Sequence, residues 1–215
     1  FGVTHNPWKI GYTPSGSSGG AGAAAAAGLA PISLGSDGGG SIRHPASFCG
    51  LFGLKPTFGV VPKNYRSDGW FSLSHQGPLT RTVADGALAM DVLSGFDASD
   101  LFSAPLPNQD FLKNASRGIK GARIAYTPDF GSAEVDPVVR KSFEDSLPAF
   151  EESGAKLTHA TPDVGEARDI FKWVMFGELV GSDLKFIRED GTSDLSPPLH
   201  QFVSKRKDIY VRDYI

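Results

Sequence analysis

Residues 15–62 read SGSSGGAGAAAAAGLAPISLGSDGGGSIRHPASFCGLFGLKPTFGVVP. Two serine-bearing glycine turns stand in this stretch. The first is Gly16-Ser17-Ser18-Gly19-Gly20; the second is Gly38-Gly39-Gly40-Ser41, preceded by Asp37 and followed by Ile42-Arg43. Between them runs a block of alanine, the residue with the best helix propensity, and then Pro31-Ile32-Ser33-Leu34. Three consecutive glycines accept positive φ without Cβ strain, so the second turn can close tightly. Successive N–H groups in such a turn converge into an anion-binding nest. A serine at the end of that nest supplies what acyl transfer needs, a nucleophile beside aimed donors.

Other readings compete. Many glycine turns are only turns, with the serine serving as a cap. A phosphate-cradling loop is a second alternative. Neither turn continues into Gly-Lys-Ser/Thr, and neither offers a strand followed by GxGxxG and an acidic ribose partner. A flexible Gly/Ser linker is a third, opposed by the Ile, Leu, Phe and Cys packed around both turns.

The whole stretch resembles the amidase signature family. The resemblance rests on Gly16-Ser17-Ser18-Gly19-Gly20, Gly35-Ser36-Asp37, Gly39-Gly40-Ser41-Ile42-Arg43, Pro45-Ala46 and Cys49-Gly50-Leu51-Phe52-Gly53-Leu54-Lys55-Pro56-Thr57. Asn6-Pro7-Trp8 upstream and Gly77-Pro78-Leu79-Thr80-Arg81-Thr82-Val83-Ala84-Asp85 downstream add to it. It is strong over residues 1–95 and diffuse beyond. The resemblance implies a Ser–cis-Ser–Lys triad that hydrolyses an amide bond through an acyl-enzyme. Ser41 matches the nucleophile. Ser17 matches the serine that follows a cis peptide bond and relays the proton between Ser41 and a neutral lysine. The backbone of Gly38, Gly39, Gly40 and Ser41 matches the oxyanion hole.

The sequence departs from the family pattern in three places. Gly38 stands where threonine or another residue with a side chain is usual, which a backbone contact tolerates. Ser15 stands where glycine is common. The family's lysine lies several tens of residues before the first serine turn, so it precedes Phe1. The expectation is a single-domain fragment, residues 1–215, of a longer enzyme, inactive on its own. Lys9, Lys55 and Lys63 are the nearest substitutes in sequence, and nothing aims Lys55 at Ser17.

Bulk properties set the bounds. The 215 residues suffice for one sizeable core, and the net charge of −3 gives no reason to expect nucleic acid. One cysteine builds neither a disulfide framework nor a zinc site; Cys49, among Phe48, Gly50 and Leu51, reads as a core residue. No apolar run approaches the roughly 18 residues of a membrane span. The reading is of a cytoplasmic enzyme on a small-molecule amide, with no metal or organic cofactor implied. Its partner list excludes membrane and admits a homodimer. The alternatives are a glutaminase-type A subunit of a tRNA-dependent amidotransferase and a non-catalytic homologue used as a binding module.

The expected fold is α/β, a mixed central β-sheet flanked by helices. Helices are expected over 19–29 and 45–51, and a buried strand over 31–35. Residues 57–80 read as irregular, a pocket wall or a covering loop carrying Phe58, Tyr65, Trp70 and Phe71. His75 lies there and offers a base for Ser41, although no GxSxG elbow accompanies it. Asp37 and Arg43 read as a partly buried pair that braces the second turn. Thr82-Val83-Ala84-Asp85 has capping-box spacing and opens a helix expected to face inward through Ala84, Ala87, Leu88 and Val92. Residues 96–118 read as a polar connection.

Residues 122–126 and 156–160 read as strands around a helix that Asp136-Pro137 caps. The inward face of that helix is Val139, Phe143, Leu147 and Phe150, with Pro148 as a kink. Residues 164–187 read as a helix with Ile170, Phe171, Val174 and Met175 inward and Trp173 and Phe176 extending the apolar surface. A polar loop, 188–198, and a helix, 199–215, complete the chain.

Overall fold

The computed structural model describes residues 2–63, 72–105, 109–183 and 194–204. The chain is of the α/β class and divides into two units, residues 1–115 with 173–215, and residues 116–172. In the first unit, helix α1 (Gly19–Ala26) leads into strand β1 (Ile32–Asp37), helix α2 (Arg43–Cys49) and a two-residue strand β2 (Phe52–Gly53). Strand β3 (His75–Thr80) and helix α3 (Val83–Leu93) follow, then a short helix α4 (Phe111–Ala115). The three strands form an antiparallel sheet in the order β1-β3-β2, with Ile32 opposite Thr80 and Asp37 opposite His75. Ile42, Ala46 and Leu79 form the core on this sheet, with Ala21 and Leu51 packed against them.

The alanine run folds as expected but ends at Ala26. Its last turn is tied down by Arg81, whose Nη1 donates to the carbonyls of Ala25 (2.9 Å) and Ala30 (3.2 Å). A cation there complements the negative end of the helix. β1 runs on through Ser36 and Asp37, beyond the stretch expected from its apolar residues, because β3 pairs with it along its whole length. α2 begins at Arg43 and stops at Gly50, whose φ of 66° makes the left-handed cap.

β3 is the largest departure from expectation. Gly77 and Pro78 read as loop residues, yet they lie in the central strand. Each is explained by position. A Cβ at Gly77 would lie 2.1 Å from the Leu54 carbonyl oxygen. Pro78 accepts at its carbonyl from the Leu54 N–H (3.1 Å), so its nitrogen, which has no hydrogen, faces the same side. On that side β2 is only two residues long, and little ladder bonding is lost. Tyr65, Trp70 and Phe71 lie outside the described residues.

α3 starts as its capping signal requires. Thr82 accepts from the Asp85 N–H at 3.1 Å and donates to its carboxylate at 2.7 Å. Its inward face is different from the expected one. Gly86, Ala87, Ala89 and Met90 are buried, while Ala84, Leu88 and Val92 are not, Val92 being 80% exposed. The small residues face the sheet because Phe52 presses on the helix at Gly86.

In the second unit, strands β4 (Arg123–Tyr126) and β5 (Lys156–His159) pair in parallel. Helix α5 (Pro137–Glu152) joins them, capped by Asp136, whose carboxylate accepts from the Val138 N–H at 2.8 Å. Phe143 and Leu147 of α5 line an apolar cavity of about 590 Å³ with Tyr126 and Leu157. Val139, one turn before Phe143 on the same face, and Phe150, both expected inward, are exposed, at 59% and 41%. Helix α6 (Ala167–Asp183) falls within the expected span, but Ile170 and Trp173 are exposed. The last described helix, α7 (Pro197–Ser204), begins at the two prolines rather than after them, since proline suits a first helical turn. Residues 188–193 and 205–215 lie outside the described residues. Among the described residues no helix is long and apolar enough to cross a membrane.

The lead-in before the first turn has a structural task. The amide of buried Asn6 donates to the Phe48 carbonyl (2.8 Å), and the Trp8 indole donates to that of Cys49 (2.7 Å). These bonds satisfy carbonyls at the end of α2 that have no partner within the helix. Asn6→Ala should therefore lower the unfolding free energy of the intact enzyme by about 1–3 kcal/mol, read by chemical denaturation. Trp8→Phe should cost less, because the residue is 72% exposed and water can replace the bond. Equal stability of wild type and Asn6→Ala would remove the clip from the account.

Candidate active site

The two serine turns meet through backbone and one side chain. The Gly16–Ser17 peptide is cis. Ser18 follows it, and its N–H donates to the Ser41 carbonyl at 3.3 Å. The Ser18 hydroxyl donates to the Ser36 carbonyl and accepts from the Ser36 N–H, both at 3.2 Å. Ser18 thus pins the first turn to β1 and, through the same residue, to Ser41. It stands at the N-cap of α1, where serine is preferred, but its hydroxyl makes no cap bond. The helix-start signal predicts a cap and conceals the cross-chain clip.

The second turn is built around Asp37. Its side chain is fully buried. One carboxylate oxygen accepts from the Gly40 N–H at 2.6 Å, the other from the N–H groups of Ile42 (3.2 Å) and Arg43 (3.3 Å). The half-exposed Arg43 guanidinium closes a two-pronged pair at 2.9 and 3.0 Å. Burial alone pushes the Asp37 carboxyl up, but Arg43 and the three backbone donors outweigh it and hold the group well below the usual carboxylate range. The same contact raises the Arg43 guanidinium.

That arrangement sorts the donors of the turn. The Gly40 N–H, one of four matched to an oxyanion hole, is turned onto Asp37. The N–H groups of Gly38, Gly39 and Ser41 find no acceptor among the described residues. Gly40 has φ 119°, and the His44 imidazole fills the place where its Cβ would be, 2.4 Å away. Leu73 lies beside Gly38, in ordinary van der Waals reach of a Cβ there. Residues 72–75 are therefore a wall of the site.

Ser41 is half-buried and Ser17 exposed. Among the described residues no hydrogen bond joins their hydroxyls. His75, the alternative base, is not bonded to Ser41; its Nδ1 faces two backbone carbonyls. The three lysines are engaged elsewhere. Lys55 donates to the Pro56 carbonyl at 2.8 Å, Lys63 to that of Ser74, and Lys9 lies 4.1 Å from the Tyr12 ring centroid. Burial and then the Arg43 charge pull the Lys55 ammonium below its ordinary value, with Asp37 opposing. Cys49 is buried, and burial pushes its thiol up, away from nucleophilic use.

The Asp37 cluster has a pH signature. Its folded-state pKa lies below the unfolded one, so its contribution is complete above the unfolded value of about 3.9 and is lost as pH falls through the lower folded value. Asp37→Asn should lower stability by about 3 kcal/mol at neutral pH. It should also flatten the decline in melting temperature below about pH 4. An unchanged acid limb in this variant would assign that decline to other groups.

The chain is similar in sequence and fold to known amide-cleaving proteins. The family model described as Amidase matches residues 1–199. The acylamidase of Rhodococcus erythropolis is 47% identical over 165 residues, covering 77% of this chain and 35% of that protein. The A subunit of the glutamyl-tRNA(Gln) amidotransferase of Listeria welshimeri is 44% identical over 155 residues, covering 72% of this chain and 32% of that one. The crystal structure of a bacterial aryl acylamidase of the amidase signature enzymes superposes with a TM-score of 0.89 at 30% identity, over 99% of this chain and 46% of that one. The chain spans about a third of the length of the curated relatives it matches. The family match runs through both serine turns and the sheet between them, and the chain belongs to the amidase signature family.

Proposed function

We propose that this chain is part of an enzyme that hydrolyses the carbon–nitrogen bond of a small acyl amide through an acyl-enzyme at Ser41. The observation that carries the reading is the meeting of the two serine turns beside three backbone N–H groups with no acceptor among the described residues. Ser41 attacks the carbonyl. The carbonyl oxygen becomes negative within reach of the N–H groups of Gly38, Gly39 and Ser41, which are fixed before the charge forms. Ser17 passes the Ser41 proton to a base, which returns it to the amide nitrogen as the carbon–nitrogen bond breaks and the amine leaves. Water then releases the acid.

A serine hydroxyl needs such a base at neutral pH. Lys9, Lys55 and Lys63 are occupied as described, and the family resemblance assigns the role to a lysine outside these residues. The ordinary lysine pKa is about 10.4, so that side chain has to be desolvated to accept a proton. The substrate class is an acylated amine, by likeness to the acylamidases. The amidotransferase reading is the alternative, since an A subunit of that enzyme is 44% identical against 47% for the acylamidase. Co-purification of further subunits with the intact enzyme would favour it.

In the intact enzyme Ser41→Ala should reduce amide turnover at least 1,000-fold, in line with the roughly million-fold loss on removing a catalytic serine, with an unchanged melting profile. A serine-directed phosphonate should label Ser41 alone. Label on another serine, or near-normal turnover by the alanine variant, would overturn the nucleophile assignment. The 215-residue chain assayed beside the intact enzyme should show no comparable amide turnover; equal rates would place the base within these residues.

A further inference from the structure

His75 is left unused by the chemistry above, yet it is among the most constrained polar side chains of the site. It opens β3 opposite Asp37. Its Nδ1 lies 3.1 Å from the Asp37 backbone oxygen and 2.6 Å from that of Leu73. Both partners are carbonyl oxygens, which only accept. Nδ1 therefore carries the proton, an assignment made from its partners. Imidazolium keeps the same N–H, so the bond to Asp37 survives in either charge state.

The ring is held from its other side. Phe58 meets it edge-on at 5.6 Å and 74°, and Phe102 backs Phe58 at 5.2 Å. The Lys63 ammonium lies 5.4 Å from the Phe58 centroid and donates to the carbonyl of Ser74, the residue before His75. Among the described residues, Lys63 and Asp37 are the charged residues whose contacts bear on this ring and its neighbours.

The Asp37 carbonyl and the Gly38 N–H belong to one planar peptide unit. Whatever fixes the direction of that oxygen fixes the direction of that N–H. The Asp37 carboxylate does not touch this oxygen, because its bonds all go forward to Gly40, Ile42 and Arg43. The β1–β3 pairing, with Asp37 opposite His75, orients the unit at the strand end, and the ring adds a side-chain donor to it. A hydrogen bond to the carbonyl also polarises the unit and strengthens its N–H as a donor.

We propose that His75 is a positioning residue for the oxyanion hole: by sharing Nδ1–H between the Leu73 and Asp37 carbonyls it locks, beyond what the strand pairing does, the peptide plane that aims the Gly38 N–H at the reacting carbonyl oxygen. The inference rests on the amide-hydrolase reading for what the N–H binds, but not for the bond itself. It makes His75 a donor to backbone, distinct from a base for Ser41.

The test uses the intact enzyme with 4-nitroacetanilide as the amide probe. Asparagine places an amide N–H near the Nδ1 position, whereas phenylalanine keeps a flat ring without a donor. His75→Phe should lower kcat about 10- to 100-fold, at or below the loss on deleting one oxyanion donor, with KM changed by less than about threefold. His75→Asn should recover most of that loss, and both variants should keep the wild-type pH limbs of kcat. Equal rates for the two variants, high or low, would overturn the positioning role. Loss of a pH limb in His75→Phe would make His75 the base instead. The tautomer is read without any substrate: nitrogen-15 NMR of the free enzyme should show a protonated Nδ1 and, where the ring is neutral, an unprotonated Nε2. The opposite neutral tautomer overturns the proposal even if Ser41 is labelled as expected. Failure of that labelling with the tautomer as assigned leaves the bond standing and removes the amide-hydrolase reading.

Discussion

A buried carboxylate that has to be satisfied is the constraint on which the site depends. Asp37 has no exposure, and an ionised group in that position survives only with charge and hydrogen bonds around it. The chain meets the demand by curling three backbone N–H groups and one guanidinium onto it. The curl is the turn. Its shape follows from where the donors must point, and the N–H groups of Gly38, Gly39 and Ser41 are left without an acceptor among the described residues. In the proposed reaction the anion already inside the protein shapes a place for a second, transient one.

Scaffold and chemistry are divided between adjacent serines. Ser18 carries the mechanical connection of the first turn to β1 and to Ser41, while the Ser17 hydroxyl makes no scaffold bond among the described residues. The proton relay proposed for Ser17 has to change partners during the reaction, and a hydroxyl committed to the scaffold would do that poorly. The sheet makes the division workable. β1 delivers Ser36 to Ser18 and, one residue later, Asp37 to the nest, so both turns hang from the same strand end.

Much of this was legible from residue identity. The serine turns, the alanine helix, the Thr82 cap and the strand–helix–strand of residues 123–159 all follow from local signals, and local chemistry fixes them. The Asp37–Arg43 contact was legible from charge flanking a glycine run. The central strand was not, because Gly77 and Pro78 carry the marks of a loop and only the tertiary neighbours Leu54 and β2 make them acceptable. The burial of α3 was misread for a related reason. Large apolar residues signal a core-facing side, but here the ring of Phe52 fills the space at Gly86 and the buried face is Gly86, Ala87, Ala89 and Met90. The clip by Ser18 and the bond from His75 join residues distant in sequence through backbone atoms, which have no residue-type signature at all.

Pro78 has a consequence for the company the sheet keeps. Exposed strand edges recruit other strands, and proteins blunt them with proline, charge or covering loops. A foreign strand arriving along β3 where β2 ends would meet a carbonyl already taken by Leu54 and a nitrogen with no hydrogen to offer. The residue that looked like a break in the strand is a terminus written into its side: beyond β2 it leaves the ladder neither a free carbonyl nor an N–H on which to continue.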